Sequence, residues 1–268
     1  MPELPEVETL KNSLAPLLEH GVIKKLHIYN KNLRWPVSPD LKKIIGQSIQ
    51  EIQRRGKYLI FILDHGFMII HLGMSGTLVF REKSNPKEKH DHIQFKVGKY
   101  TLFYNDPRRF GSIHYAKELD KFALLKNLGV EPLSSTFNGD YLYSKTRLRR
   151  TSIKQIIMNA KIVTGIGNIY ASESLFMSKV RPTKKASRLT KAQCNLLVLS
   201  IKKVLNKAIK AGGSSLLNFK DSSGKPGYFS LEHLVYGRGG LACYSCNKLI
   251  KKRVITGRSS FYCAHCQS

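Results

Sequence analysis

Four of the five cysteines fall within the last 26 residues, as Cys243-Tyr-Ser-Cys246 and Cys263-Ala-His-Cys266, two C-x2-C pairs with sixteen residues between them. Each two-residue gap lets one turn present two sulfurs to a tetrahedral ion, and the interval suits a β-hairpin joining the turns. The spacing therefore predicts a four-thiolate zinc site. A closed site of this kind has no open position for substrate, so the zinc is expected to be structural; His265 stands as an alternative ligand. The other reading, a pair of disulfide-exchange motifs, lacks the βαβ pattern that would surround it. The second place for chemistry is the start of the chain, Met1-Pro2-Glu3-Leu4-Pro5-Glu6. Processing normally removes an initiator methionine before a small residue, which would leave Pro2 with a secondary amine. A terminal amine titrates near pH ~8, against about 10.4 for lysine, so a useful fraction is uncharged and nucleophilic at neutral pH. Attack by such an amine on a sugar carbon gives an iminium, an electron sink that eases later proton loss and elimination. Glu3 and Glu6 stand next to it as proton donor or acceptor. The competing reading is that Pro2 merely starts a helix whose dipole the glutamates favour, and on local sequence alone that reading carries more weight.

The elements that must position these groups can be read from hydrophobic spacing. Leu4, Leu10 and Leu14 with Pro5, and Gly21 after Glu19-His20, predict an amphipathic N-terminal helix ending near residue 20. From Val22 to about Tyr115 the pattern changes to short β-rich runs such as Tyr58–Leu63 and Phe67–Leu72, with turn signals at Asp64-His65-Gly66 and Gly98-Lys99. An antiparallel β-sandwich or barrel is expected, and the runs without alternation suit strands buried on both faces. After about residue 117 helical patterns take over, at Leu119–Leu128, Tyr141–Thr146, Ser152–Asn159, Asn168–Lys179 and Thr190–Ala211. Cys194, inside the last of these, reads as a small core residue. Ser222-Ser223-Gly224-Lys225-Pro226-Gly227 is too rich in breakers for regular structure and is expected to be a mobile loop. The fold class is thus α+β, with domains expected at 1–116, 117–230 and 231–268.

Composition narrows the partners. Forty-five Lys plus Arg against 18 Asp plus Glu leave a formal charge of +27, an excess that usually reflects a polyanion and points first to nucleic acid. No apolar run approaches the roughly 20 residues that span a bilayer. Carboxylates at positions 3, 6 and 8 interrupt what a secretory leader would need, so an intracellular, cytoplasmic protein is expected. Lys248, Lys251, Lys252, Arg253 and Arg258 make the segment between the cysteine pairs a basic finger suited to phosphate, with a merely solvated face as the alternative. Gly165-Ile166-Gly167-Asn168 lacks the lysine of a P-loop. It reads better as a tight interhelical turn whose glycines let backbone amides approach a phosphate, or as a purely structural turn.

Seven segments change the weight of the N-terminal reading. Pro2-Glu3-Leu4-Pro5-Glu6-Val7-Glu8, Gly56-Lys57-Tyr58, His71-Leu72-Gly73-Met74-Ser75-Gly76, Asn105-Asp106-Pro107-Arg108-Arg109-Phe110-Gly111, Gly165 to Glu173, Gly224-Lys225-Pro226-Gly227-Tyr228-Phe229 and the cysteine hairpin together resemble the bacterial formamidopyrimidine-DNA glycosylases, in order from residue 2 to residue 267. The resemblance implies a β-sandwich domain, a helix-two-turn-helix domain and a zinc β-hairpin, with DNA between the domains. It implies a bifunctional glycosylase and abasic-site lyase of base excision repair, acting alone as a monomer on double-stranded DNA that carries an oxidised purine. One structural Zn2+ and no catalytic metal or nucleotide cofactor would be needed.

By the same resemblance Pro2 is the nucleophile, Glu3 the acid that protonates the opening sugar ring, and Glu6 its supporting carboxylate. Lys57 contacts the phosphate and assists catalysis, and Arg258, also part of the catalytic set, clasps the phosphate beside the lesion. DNA contacts are expected from His71, Met74, His90, Arg108, Arg109, Phe110, Lys154, Asn168 and Tyr236. An enzyme that works on a base must extrude it and fill the vacated space. Met74 and Phe110 suit that role and Arg108 suits the orphaned opposite base, although short apolar stretches near strand ends more commonly pack inward. Two alternatives remain. The related endonuclease VIII branch acts on oxidised pyrimidines, and Leu4, the wedge set and the Gly-Lys-Pro-Gly-Tyr-Phe stretch argue against it. A non-catalytic zinc-containing DNA-binding protein would lack a use for Pro2.

Overall fold

The computed structural model describes residues 2–81, 87–212 and 233–268, which form two compact units, one running to Lys126 and the other containing Asn127–Ala211 and the C-terminal residues. The expected mobile loop at 222–227, and with it the Gly224–Phe229 motif, lies outside the described residues.

In the first unit, helix α1 (Leu4–Leu18) buries Leu4, Val7, Leu10, Leu14 and Leu18, a stripe at helical spacing. Its start is fixed by a capping box between Glu3 and Glu6. The helix ends slightly earlier than Gly21 suggested, and His20 (φ 64°) takes the left-handed backbone that glycine usually supplies. Eight antiparallel strands follow: β1 (Ile23–Ile28), β2 (Ile49–Arg55), β3 (Tyr58–Leu63), β4 (Phe67–His71), β5 (Thr77–Phe80), β6 (Asp91–Val97), β7 (Tyr100–Asn105) and β8 (Ser112–Ala116). They make two four-stranded sheets, ordered β1-β6-β7-β5 and β2-β3-β4-β8. Side chains from both sheets, Phe61, Met68 and Ile70 from one and Leu78, Phe95 and Leu102 from the other, join α1 in a single apolar core. This is the β-sandwich expected from the runs without alternation. The chain passes between the sheets twice through short turns, from β4 to β5 and from β7 to β8.

The helix expected over Leu119–Leu128 is reduced to α2 (Ala123–Lys126). Residues 119–122 close a turn instead, with the Phe122 N–H on the Leu119 carbonyl, and after Lys126 the chain leaves the helix because Gly129 donates to the carbonyl of Ala160 and Val130 pairs with Val163 in a parallel bridge. A Cβ on Gly129 would stand 2.2 Å from the Ile162 carbonyl oxygen, closer than any side chain tolerates.

The second unit holds α3 (Gly139–Thr146), α4 (Ile153–Ile157), α5 (Asn168–Met177) and α6 (Lys191–Lys210). Capping boxes at Ser152/Gln155 and Thr190/Gln193 start α4 and α6. Cys194 is fully buried in the helical core. Strands β9 (Ile250–Ile255) and β10 (Arg258–Cys263) form the C-terminal hairpin. Thr256 (φ 47°) and Gly257 (φ 72°) both take left-handed backbone at its two-residue tip, the pattern of a type I′ turn. The hairpin is tied to α5: Phe176 packs with Val235, Cys243, Ile250 and Cys263, and Arg181 donates to the carbonyls of Ala264 and Gln267. Glu173 on the same helix accepts from three consecutive backbone N–H groups, Leu234, Val235 and Tyr236, at 2.8–2.9 Å. No helix among the described residues is long and apolar enough to cross a membrane.

Candidate active site and metal centre

Each unit carries part of the expected site. In the first, Pro2 is half-buried and both Glu3 and Glu6 are buried. The Glu3 N–H donates to Glu6 Oε2 at 2.8 Å, so Glu6 serves the helix start and holds the backbone of its neighbour at the same time. The helix-start reading of these residues is therefore realised, and it does not exclude the chemical one.

Arg54 relates the N-terminal helix to the Lys57 turn. Its Nε donates to Glu8 Oε2 at 2.5 Å and its Nη1 to the Gly56 carbonyl at 3.0 Å, while Lys11 also pairs with Glu8. Desolvation opposes ionisation of Glu8, but hydrogen bonds from Lys11 and Arg54 prevail and hold its carboxyl below the usual range. Gly56 (φ 58°) makes the turn that lifts half-buried Lys57 off the end of β2. Strand register then sets Tyr58 opposite His71, with ring centroids 4.7 Å apart, and His71 opposite Ser112.

His71 is held neutral. Desolvation lowers its pKa to about 4, and the charges of Lys57, Arg34 and His114 act in the same direction, partly offset by Asp106. The Gly73 N–H donates to His71 Nδ1 at 3.1 Å, which leaves the ring proton on Nε2. Between about pH 6.5 and 4 the unfolded chain binds this proton and the folded chain does not, so stability is lost as pH falls through that window. The contribution is no more than about 3 kcal/mol. Thermal unfolding followed over that range should show a smaller acid-induced drop in Tm for His71→Gln than for the parent; equal drops would contradict the assignment. His114, whose pKa burial also lowers, adds to the slope of both proteins.

Met74 and Phe110, which sequence alone would more readily place in the core, are 40% and 42% exposed. They sit on the two turns that pass between the sheets. The Arg108 guanidinium stacks on the Phe110 ring at 4.7 Å, and Arg109 takes a left-handed backbone (φ 56°). His90 is half-buried, and its carbonyl accepts from the Asp106 N–H. Arg34 was not singled out from sequence. Its N–H donates to the Gly111 carbonyl, its guanidinium stacks on Trp35, and its charge is felt at His71. The Asn32-Leu33-Arg34-Trp35 run is the only signal that could have marked it.

In the second unit Lys154, though almost fully buried, directs its ammonium to Asn168 Oδ1 at 2.6 Å and Ser260 Oγ at 2.7 Å. Asn168 in turn donates to the Ser259 carbonyl at 2.9 Å. Gly165 (φ 84°) and the extended Gly167 turn the chain so that Asn168 opens α5. Lys154 and Arg258 line one open basin of about 290 Å³ with Gln155, Met158, Asn159, Ile255 and Thr256. Both residues are cationic, but the Lys154 ammonium is buried against Asn168 and Ser260, so Arg258 is the exposed charge at the basin. Tyr236 does not line that basin; its ring lies edge-on to Phe261 at 5.3 Å and its N–H is taken by Glu173.

The four cysteine sulfurs all lie within 4.8 Å of one another. Tetrahedral coordination at the usual zinc–sulfur distance of about 2.3 Å requires sulfur separations of about 3.8 Å, so the cluster fits such an ion. The thiols as they stand also call for a cation. Desolvation and the neighbouring cysteines push Cys266 up to about 12, whereas Cys263, against the penalty of burial, is drawn down to about 7 by N–H donors and Cys246. Four thiolates cannot share this space without positive charge to offset them. His265 is exposed and stands outside the cluster.

Comparison with known proteins gives concordant matches. The family model described as the formamidopyrimidine-DNA glycosylase N-terminal domain matches residues 1–113, and that of the corresponding H2TH domain matches residues 128–220. The formamidopyrimidine-DNA glycosylase of Pasteurella multocida is 47% identical over 268 residues, covering 100% of this chain and 99% of the relative. That of Salmonella arizonae is 46% identical with 100% of each covered. Among solved structures, the Lactococcus lactis Fpg in complex with DNA containing N7-benzyl-Fapy-dG superposes with a TM-score of 0.91 at 36% identity, covering 99% of both chains. The MutM (Fpg) protein of Thermus thermophilus gives 0.88 at 33%, covering 99% of this chain and 98% of that one.

Proposed function

The chain belongs to the formamidopyrimidine-DNA glycosylase family, and on that premise we propose that it excises oxidised purines from duplex DNA through the amine of Pro2. The reaction is that of a glycosylase with abasic-site lyase activity. Pro2, exposed by removal of Met1, attacks C1′ of the extruded nucleotide, and the base leaves as the sugar ring opens. Glu3 delivers the proton to the ring oxygen. The resulting iminium withdraws electrons from the sugar, so that successive β and δ eliminations release the phosphates on either side.

Glu6 steadies Glu3 through its backbone N–H. Lys57 and the Nε2–H of neutral His71 take phosphate oxygens, with His90 and Arg109 as further contacts. Met74 and Phe110 fill the space left by the extruded base, and Arg108 meets its orphaned partner. In the second unit Arg258 and Lys154 face a phosphate across their shared basin, with Asn168 orienting the lysine and Tyr236 adding a contact. The metal held by Cys243, Cys246, Cys263 and Cys266 is zinc, and its role is structural.

The observation that carries this reading is the exposure of two large apolar side chains, Met74 and Phe110, on adjoining turns of the same sandwich that carries Pro2. Exposed apolar side chains are ordinary singly, as at Leu148 and Leu199; what marks this pair is that their two turns touch through the backbone at Gly73 and Gly111, so the two side chains form one feature. Mixing the mature protein with a duplex containing 8-oxoguanine opposite cytosine, adding borohydride and mapping the crosslink by peptide mass is expected to give an adduct on the Pro2 peptide. An adduct formed only on an oxidised-pyrimidine duplex would move the protein to the endonuclease VIII branch. No adduct on either would favour a non-catalytic DNA-binding protein.

A further inference from the structure

A wedge that replaces a base must keep its shape against the stack it opens, because small displacements of working groups are costly in rate. Met74 and Phe110 lie on different turns, residues 72–76 and 106–111, each leading from one sheet to the other. The turns touch through their backbones: a Cβ on Gly73 would lie 2.4 Å from both the Gly111 nitrogen and the Phe110 carbonyl carbon. Between them the Asp106 carboxylate is completely buried. Its Oδ1 accepts from Ser75 Oγ at 2.6 Å; its Oδ2 accepts from the Gly111 N–H at 2.9 Å and the Tyr104 hydroxyl at 3.2 Å. Ser75 Oγ in turn accepts from the Arg108 N–H at 3.2 Å. The Asp106 carbonyl accepts from His92 Nε2 at 2.8 Å and from the Arg109 N–H at 3.1 Å.

From this arrangement we infer that Asp106, acting through Ser75, is a positioning residue that joins the two turns into one rigid wedge. The inference rests on the wedge role proposed above for Met74 and Phe110. A buried carboxylate that meets only O–H and N–H donors forms charge-assisted bonds, which are stronger and more directional than neutral ones. Among the described residues the hydroxyl of Ser75 is the side-chain link from the first turn to the carboxylate in the second, and it also fixes the backbone of Arg108. Without it Met74 and Arg108 keep their side chains but lose their common frame.

The test compares single-turnover base excision from an 8-oxoguanine duplex with strand cleavage at a preformed abasic site, where no base has to be unstacked and extrusion is easiest. Ser75→Ala and Asp106→Asn are expected to slow excision roughly tenfold or more while abasic-site cleavage stays within about twofold. Ser75→Thr, which keeps the hydroxyl, should restore excision, and Ser75→Ala should melt within a few degrees of the parent. Parent-rate excision by Ser75→Ala and Asp106→Asn, or equal slowing on the two duplexes, would overturn the assignment. Met74→Ala excising at the parent rate would refute the wedge reading itself, whatever the Ser75 variants do.

Discussion

Pro2→Gly is expected to bind a lesion duplex nearly as tightly as the parent, to release no base, and to leave no borohydride adduct. Glycine still offers an amine at the same place, so the comparison isolates what proline adds. A primary amine on an unrestrained residue has lost the pyrrolidine ring that fixes its direction. Its imine can also shed a proton and go neutral, whereas the proline adduct keeps its positive charge and remains an electron sink. A loss of at least about 10³-fold in single-turnover excision is expected. Glu3→Gln should lose excision to a similar degree for a different reason, since an amide cannot deliver the proton that opens the ring. Pro2 precedes α1, and a glutamine at position 3 keeps an oxygen that can accept the capping hydrogen bond at the helix start, so neither change should unfold the sandwich. Full excision by both variants would remove the mechanism.

The second large effect is expected at the metal. Cys246→Ser should contain no zinc and lose at least about tenfold in DNA affinity, because the apolar cluster under the hairpin cannot hold it alone. That cluster consists of Phe176, Val235, Cys243, Ile250 and Cys263, and two of the five are themselves ligands. Structural zinc contributes on the order of 10 kcal/mol to such sites, far more than these side chains can supply. The helical core around Tyr170, Leu175, Leu197 and Ile201 is separate and large, so helix content should survive. Metal content by atomic spectroscopy and affinity by fluorescence anisotropy check the two halves of the expectation. Unchanged affinity in a zinc-free variant would exclude the hairpin from the DNA contact.

Most of the architecture was legible in sequence because it rests on local rules. The C-x2-C pairs imply their own geometry, the helical spacing over Ser152–Asn159 and Thr190–Ala211 announces α4 and α6, and Tyr58–Leu63 with Phe67–Leu72 reads as strands separated by a turn. What sequence concealed was long-range. Leu119–Leu128 has helical spacing, but residues 119–122 close a turn, with the Phe122 N–H on the Leu119 carbonyl, and the pairing of Gly129 and Val130 with residues near 160 draws the chain off after Lys126. Met74 and Phe110 have the composition of core residues, and only their place on turns between sheets keeps them in water. Arg54 and Asp106 act by linking segments tens of residues apart, which no local pattern encodes. Glu173 sits inside a motif that sequence did mark, yet its three backbone partners, more than sixty residues on in the chain, could not be guessed from it.

Of the three passages between the sheets, the two short ones lie side by side and share the Asp106 carboxylate, which gives the sandwich a clasped edge. The sheets are tied again where β1 leads to β2, through the Val22–Ser48 bridge, so a change in their spacing is shared between that join and the wedge. Core residues that never approach DNA, such as Leu78 behind one turn and Ile113 behind the other, thereby become part of the tool's calibration. Substitutions in that interior are therefore expected to reach lesion excision as well as folding.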